Sequence, residues 1–238
     1  MVPMTAARRP LVDPTFYPVE DDMPEGMLHG LIVDQLRPLV ARWLATRGVR
    51  ACVGADNFIY WVQYAPTICV APDLYVLPGV DPGLAPPCWK LWEQGAPPSF
   101  AVDVLSGVGR KDDTLSPLRY DEIGARELVI FDATWPSPSG RPRFQVYRRA
   151  KDGSFAIVRH TDGDRVRSRV LGCWLRAVGE GDALRLRIAT GPRGDDLVPT
   201  DAERADAAEA ARAAAEAAHA AADAEVARLR AEIARLRG

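Results

Sequence analysis

The sequence has few cysteines, fewer lysines and no long hydrophobic run. Its four cysteines are scattered without a C-x-x-C spacing, which argues against a zinc site or a disulfide framework. No apolar run reaches the roughly 18 residues that a membrane-spanning helix needs. The first residues also lack the apolar core of a secretory signal. These absences predict a cytoplasmic protein with no membrane partner.

Charge is almost balanced overall but unevenly distributed. The formal net charge is −2, yet residues 141–193 carry 13 basic against 5 acidic residues. A basic surface of this kind can bind a polyanion such as DNA. Arginines at outward strand positions can also form an ordinary solvated face, and the composition leaves both interpretations open.

The chain reads as three parts: an extended arm over residues 1–22, a folded domain over 23–195 and a helix over 200–238. Helical spacing of apolar residues predicts that the domain opens with a helix from Glu25 to Gly48, kinked at Pro38.

Short apolar or alternating runs follow this helix and predict strands. They are residues 49–54, 58–64, 68–77, 100–106, 127–132, 144–149, 155–160, 165–172 and 183–190. Residues 78–98 are rich in proline and glycine and predict a loop, while 114–123 predict a short helix ended by Gly124. The expected fold is therefore α/β (α+β), with a mixed sheet flanked by helices and an antiparallel extension.

The last segment is dominated by alanine and lacks glycine and proline before its final residue. Val226, Leu229, Ile233 and Leu236 occupy a and d positions of a heptad repeat. The pattern predicts a C-terminal helix and a coiled coil that joins two copies of the chain. A lone solvated helix is the alternative.

Two aspartates lie beside or inside predicted strands. Asp73 precedes the run LYVL, and Asp103 lies within AVDVL. A lone buried carboxylate at Asp103 would be costly, so it must be paired, protonated or bound to a metal. Mg²⁺ or Mn²⁺ held by such carboxylates can activate a water for phosphodiester hydrolysis. A carboxylate that pairs with an arginine or caps a loop is the plainer alternative.

A third acid, Glu25, stands four residues before His29, so the two share one face of the first helix. Glu25 is the preferred metal-facing residue of the pair. Compensation of the helix dipole by an acid in the first turn is the alternative.

These motifs occur in a recognisable order. E-x-x-x-H on the first helix is followed by D-N-F-I-Y, A-P-D-L-Y-V, W-x-x-G-x-x-P-x-F, V-D-V-L-S, Y-x-x-x-G and E-L-V-I-F-D. Over roughly residues 14–190 the chain resembles the Uma-two family of restriction endonuclease-like proteins, in the PD-(D/E)XK nuclease superfamily. The resemblance implies a restriction-endonuclease-like core and a metal-dependent endonuclease acting on DNA.

The resemblance also implies roles for individual residues. Asp73 matches the first metal-binding acid and Asp103 the second, where the family more often has glutamate. Glu25 matches the acid of the first helix, and Tyr120 and Gly124 match the Y-x-x-x-G that follows an expected lysine.

That lysine is missing here. Leu105 stands where D-x-K would place it, and Ser116 and Pro117 stand one turn before the tyrosine, where the family often moves it. Lys111 is the nearest lysine in sequence and Arg119 adjoins Tyr120, so either is a candidate to contact the scissile phosphate. Arginine clamps phosphate but accepts protons poorly.

Three hypotheses therefore remain. The leading one is a metal-dependent endonuclease, weakened by the missing lysine. The second is an inactive nuclease fold that binds DNA or protein through its coiled-coil tail. The third is an interaction protein with no link to nucleic acid.

Overall fold

The computed structural model describes residues 13–18, 26–105, 116–137 and 140–237. The chain separates into two compact units, Met1–Leu197 and Val198–Gly238. The boundaries expected from sequence, at residues 22/23 and 195/200, remain predictions.

The helices of the described residues are α1 (Met27–Thr46), α2 (Leu91–Gln94), α3 (Ser116–Glu122) and α4 (Asp201–Arg237), with a 3₁₀ turn at Gly181–Ala183. The strands are β1 (Ala51–Gly54), β2 (Ile59–Tyr60), β3 (Cys69–Val70), β4 (Leu74–Pro78), β5 (Trp89–Lys90), β6 (Phe100–Leu105), β7 (Glu127–Asp132), β8 (Phe144–Arg149), β9 (Phe155–Thr161), β10 (Arg165–Ser168), β11 (Cys173–Val178), β12 (Arg185–Thr190) and β13 (Asp196–Leu197).

The main sheet has six strands in the order β1-β4-β6-β7-β8-β9. Its central pair, β6 and β7, is parallel, whereas the flanking pairs are antiparallel. A parallel pair needs a crossover connection, and α3 lies in the segment that joins β6 to β7. The predicted fold class, a mixed sheet with helices and an antiparallel extension, is confirmed.

Three strand predictions were wrong in extent. Residues 165–172 form a strand only at Arg165–Ser168, and residues 169–172 form a turn. Residues 58–64 form a strand only at Ile59–Tyr60, and Tyr64 has a φ of 64° that no strand accommodates. The run 68–77 is two strands in different sheets, β3 and β4, and Ala71-Pro72-Asp73 separates them. Pro72 cannot donate a ladder hydrogen bond, which explains the break.

The expected loop 78–98 contains two short elements, β5 and α2. Both are too short to show the alternation or the helical periodicity from which strands and helices are predicted. A separate antiparallel sheet, β10-β11-β12-β13, includes β11, which no predicted strand covered. It is tied to the first helix by the indole of Trp43, whose Nε1 donates to the carbonyl of Leu171 at 2.8 Å.

Both faces of the main sheet are packed. On one side a cluster including Tyr75, Ala101, Leu105 and Tyr120 packs α3 against alternate positions of β4 and β6. Helix α1 contacts β1 and β12. It buries the apolar stripe that its periodicity predicted, namely Ile32, Leu36, Leu39, Val40 and Leu44. The helix continues through Pro38, and Gly48, with a φ of 69°, follows its end.

The described part of the arm, residues 13–18, lies against the small sheet β3-β2-β5. The Tyr17 hydroxyl accepts a hydrogen bond from the Tyr64 amide at 2.7 Å, and the Tyr60 hydroxyl donates to the Pro18 carbonyl at 2.7 Å. The Tyr17 ring also contacts Trp92, and Lys90 Nζ lies over the same ring at 5.0 Å from its centroid. This piece of the arm is thus attached at several points.

The second unit consists mainly of α4, which confirms the predicted C-terminal helix. Thr200 and Glu203 form a capping box: the Thr200 amide donates to the Glu203 carboxylate at 2.7 Å, and the Glu203 amide donates to Thr200 Oγ1 at 3.2 Å. None of the described residues of α4 is buried. Among the described residues, every helix is too short or too polar to serve as a membrane span.

Candidate active site

Asp73 and Asp103 meet at one end of the main sheet. β4 and β6 are antiparallel with Leu74 opposite Val102, so the next pair outward is Asp73 opposite Asp103. Directly opposed residues point to the same face with Cβ atoms about 4.5–5.5 Å apart. Both side chains are buried, at 0% and 4% exposure. The positions expected from sequence, one acid at a strand entry and one inside a strand, are the positions observed.

The backbone contacts around Pro72 leave the Asp73 carboxylate directed towards β6. The Pro72 carbonyl accepts a hydrogen bond from the Asp56 amide at 3.0 Å. The amide of Val104 on β6 donates instead to Oδ2 of Asp73. A side chain thus takes over one hydrogen bond of the backbone ladder, and this fixes its orientation beside Asp103.

Helix α3 supplies the partners of Asp103. Ser116 Oγ donates to Oδ2 at 2.7 Å and Tyr120 Oη donates to Oδ1 at 2.6 Å. Residues four apart share one helix face, so a single helix places both hydroxyls on one carboxylate. Within the described parts of the chain, each oxygen of the Asp103 carboxylate accepts one hydroxyl, and such an oxygen can also contact a cation.

Tyr120 acts as a donor in this arrangement. Burial raises the pKa of its hydroxyl well above the usual value, and the charge of Asp103 and the hydrogen bond to it raise that pKa further. The phenol therefore remains protonated at neutral pH. It orients Asp103 and would not act as a base.

A histidine and another aspartate adjoin Asp73. One ligand atom each from His29, Asp56 and Asp73 lies within 4.8 Å of the others, and His29 Nε2 is 3.4 Å from Asp73 Oδ2. His29 comes from α1 and is buried, whereas Asp56 is exposed in the loop between β1 and β2. An imidazole with carboxylates is a donor set that suits Mn²⁺ and other first-row divalent ions.

The sequence did not single out Asp56. It belongs to the D-N-F-I-Y motif, but nothing local distinguishes it from a turn aspartate. Its φ of 56° is a left-handed conformation that aspartate tolerates better than most residues. Contacts distant in sequence, such as the hydrogen bond from its amide to the Pro72 carbonyl, reveal its place beside Asp73.

Ser116 is one of the two residues, with Pro117, that stand where the resemblance expects a lysine, and its hydroxyl donates to Asp103. The position therefore faces the two acids but carries no charge. The candidates Glu25 and Lys111 lie outside the described residues.

Arg119 is exposed on the next turn of α3. Its Nη1 donates to the carbonyl of Cys69 at 2.6 Å, and it borders an open cavity of about 300 Å³ with Ile68, Leu118 and Glu122. The guanidinium thus has a backbone partner on β3. Its contact with a phosphate stays a prediction.

Several arginines of the basic segment form ion pairs with acidic residues of the same domain. Arg148 Nε lies 2.7 Å from Glu127, Arg165 Nη1 lies 2.7 Å from Asp195, and Arg176 Nε lies 3.1 Å from Asp164. These ion pairs neutralise part of the local excess. They favour a structural role for the arginines that form them.

Comparisons with known proteins bear on the same region. The model of a family described as "Uma2: Putative restriction endonuclease" matches residues 19–178. A solved structure, of "a putative nuclease belonging to DUF820 from Anabaena variabilis ATCC 29413", is similar at 14% identity with a TM-score of 0.45, covering 63% of this chain and 76% of that one. No curated protein matches the chain.

Proposed function

Because the family model spans more than half of its residues, the chain belongs to the Uma2 family, and we propose that it is a metal-dependent endonuclease that hydrolyses the phosphodiester bonds of DNA. The observation that carries the proposal is the pair of buried carboxylates, Asp73 just before β4 and Asp103 on the neighbouring β6. Two acids at this spacing repel each other unless a proton or a cation lies between them.

The donor set fits a divalent ion, Mg²⁺ or Mn²⁺. Asp73 and Asp103 would be ligands, and His29 and Asp56, which each have a ligand atom within 4.8 Å of one from Asp73, would extend the set. The imidazole favours Mn²⁺, since Mg²⁺ prefers oxygen ligands alone. When bound, the ion would neutralise phosphate charge and lower the pKa of a water.

The other residues hold this arrangement or face the substrate. Ser116 and Tyr120 keep Asp103 in place through two hydroxyl contacts. In the proposal Glu25 positions a water or the metal, and Lys111 or Arg119 contacts the scissile phosphate. Because the expected lysine is missing, turnover would be slow: loss of one charge-stabilising donor lowers the turnover rate about 10²–10³-fold.

The test is cleavage of supercoiled plasmid with Mn²⁺ and, separately, Mg²⁺. Wild type should nick the plasmid, and Asp73→Asn and Asp103→Asn should not. Asp152→Asn is a matched control, because Asp152 is exposed in a turn where asparagine can accept the same hydrogen bonds from Ser154. Equal cleavage by wild type and Asp103→Asn, or none by wild type with either ion, contradicts the proposal.

A second function is supported by the same serine. A nuclease fold without its lysine, and with many arginines already ion-paired, can bind DNA or protein without cutting. DNA binding that falls steeply with salt while cleavage is absent would favour this alternative. Failure to bind DNA even at low salt would favour an interaction protein with no nucleic-acid role.

Two further elements complete the proposal. The setting is cytoplasmic, where the four cysteines, all free in the structure, would remain reduced. The chain self-associates as a homodimer through α4, which carries an exposed apolar stripe.

A further inference from the structure

Helix α4 ends in a stripe of large, exposed apolar side chains. Val226, Leu229, Ile233 and Leu236 are 46%, 45%, 49% and 82% exposed. They follow one another at intervals of three and four residues, so they form one seam along the helix. Such a seam on a long helix is the usual surface of a coiled coil.

The residue types on the seam select a particular oligomer. The a positions, Val226 and Ile233, are β-branched, and the d positions, Leu229 and Leu236, are leucine. In parallel coiled coils, β-branched residues at a with leucine at d favour two strands over three or four.

The charges beside the seam select the orientation. The g positions are Glu225 and Glu232, and the e positions are Arg230 and Arg237. In a parallel pair, each g residue faces the e residue five positions further along the partner. Glu225 then meets Arg230 of the second copy, Glu232 meets Arg237, and the symmetry of the pair repeats both contacts.

The opposite orientation loses this match. In an antiparallel pair, g positions lie beside g positions and e positions beside e positions. The glutamates at g would then face glutamates of the second copy. Arg230 and Arg237 at e would face arginines of the second copy wherever the two segments overlap. Like charges at these positions disfavour a pairing.

We propose that two copies of this chain pair in parallel through residues 222–237, with orientation set by Glu225, Arg230, Glu232 and Arg237. This takes the self-association proposed above one step further and does not depend on nuclease activity.

The pairing is confined to the end of α4 by what precedes it. Continuing the register backwards puts His219 and Arg212 at a positions and small alanines at most d positions. Arg212 is ion-paired with Glu216 at 3.1 Å and His219 with Asp223 at 3.0 Å, both within the helix. Burying these groups in a seam would disrupt those contacts and gain little apolar area.

One intrahelical contact competes with the proposed pairs. Arg228, at a c position, contacts Glu225 through two hydrogen bonds at 2.6 and 2.8 Å. Exposed pairs of this kind contribute little to stability. Glu225 can also accept from two arginines at once, since a carboxylate has several lone pairs.

The test exchanges the charges of the full-length protein. A four-residue swap, with Glu225→Arg, Glu232→Arg, Arg230→Glu and Arg237→Glu, keeps the net charge and restores every g–e′ match in a parallel pair. The swapped chain should form dimers by light scattering. Tagged wild type and the untagged swapped chain are then mixed and allowed to exchange. The fraction of mixed dimers should be about tenfold below the one half expected for random pairing, because all their g–e′ contacts are like-charged.

An antiparallel pair predicts the reverse. There the mixed dimer brings glutamate beside arginine and should predominate over both homodimers, which would overturn the proposed orientation. Arg228→Glu with Arg235→Glu is the control, since it reverses charges at c positions only and should still mix freely with wild type. Leu229→Asp should yield monomer, and wild type that is monomeric at the highest attainable concentration overturns the pairing altogether.

Discussion

Two buried acids on neighbouring strands, Glu127 and Asp103, are stabilised in different ways. Glu127 starts β7 and binds the guanidinium of Arg148 at 2.7 Å, the Arg169 amide at 3.1 Å and the hydroxyl of Ser168. Among the described residues, the contacts of Asp103 are the neutral hydroxyls of Ser116 and Tyr120. A carboxylate with a built-in cation is neutralised by the fold, while one held only by hydroxyls can still bind another cation.

The largest expected effect is the loss of Glu127. Glu127→Ala leaves Arg148 without its carboxylate and removes the link between β7 and β10, so we expect the free energy of unfolding to fall by about 3–5 kcal/mol. Chemical denaturation measures it. Asp103→Asn keeps the shape: its one oxygen can accept from one hydroxyl, and its amide nitrogen can donate to the oxygen of the other, so it should lose less than half as much. Equal losses would remove the distinction between the two acids.

Ser116→Lys tests whether the site near Asp103 lacks only a cation. The new ammonium would reach the two carboxylates from the position of the present hydroxyl, and the initial rate of plasmid nicking should rise about 10²–10³-fold. Ser116→Ala, which removes the hydroxyl without adding charge, is the matched control. A Ser116→Lys rate no higher than that of Ser116→Ala, with both proteins folded by circular dichroism, would contradict the expectation.

Tyr120→Phe removes one of the two hydroxyls and keeps the ring. Since hydrogen bonds to a charged group contribute more than neutral ones, we expect unfolding free energy to fall by about 1.5–3 kcal/mol without metal. Tyr64→Phe serves as control, because Tyr64 is 65% exposed. A loss no larger than that of the control would mean that the Asp103 carboxylate does not depend on this donor.

His29→Ala addresses the composition of the proposed metal centre. If the imidazole is a ligand, calorimetric Mn²⁺ affinity should fall about tenfold, with a smaller change for Mg²⁺. Asp103→Ala should abolish binding of both ions. Mn²⁺ affinity that requires Asp103 but ignores His29 would limit the centre to the two opposed acids and leave the nuclease proposal intact.

The smallest effect concerns a partly exposed acid, Asp164. Hydrogen bonds and charge from Arg165, with a contribution from Arg176, lower the pKa of its carboxyl. Because the folded pKa lies below the unfolded one, its contribution is present above the unfolded pKa and is lost as pH falls through the folded value. Asp164→Asn should lower stability near neutral pH by under about 1 kcal/mol and flatten the acid limb. Denaturation at several pH values measures both, and an unchanged acid limb would contradict the assignment.

The sequence predicts the positions of Asp73 and Asp103 well because each interrupts an apolar run, and such runs are local signals of strands. It joins β3 to β4 wrongly because apolar residues stand on both sides of Ala71-Pro72-Asp73, although this short break separates strands of two different sheets. Alternation also indicates β8, β9, β10 and β12 but misses β11, whose turn-rich neighbours hide its start.

The rest of the site depends on contacts distant in sequence. Asp56 reaches Asp73 only through the fold, and Ser116 reads as a replaced lysine until its hydroxyl is seen on Asp103. The arginine-rich segment likewise suggests a polyanion surface until its partners are known, because composition does not reveal which charges are paired.

The attachment of residues 13–18 sets a practical limit on shortening the chain. The Tyr17 ring packs against Tyr60 and Trp92, and its hydroxyl accepts a hydrogen bond from the Tyr64 amide. A chain trimmed to begin after residue 18 would expose these rings to water and leave the Tyr60 hydroxyl without its acceptor on Pro18. Trimmed variants that start before Asp13 should stay monodisperse during purification, whereas those that start at residue 19 should aggregate.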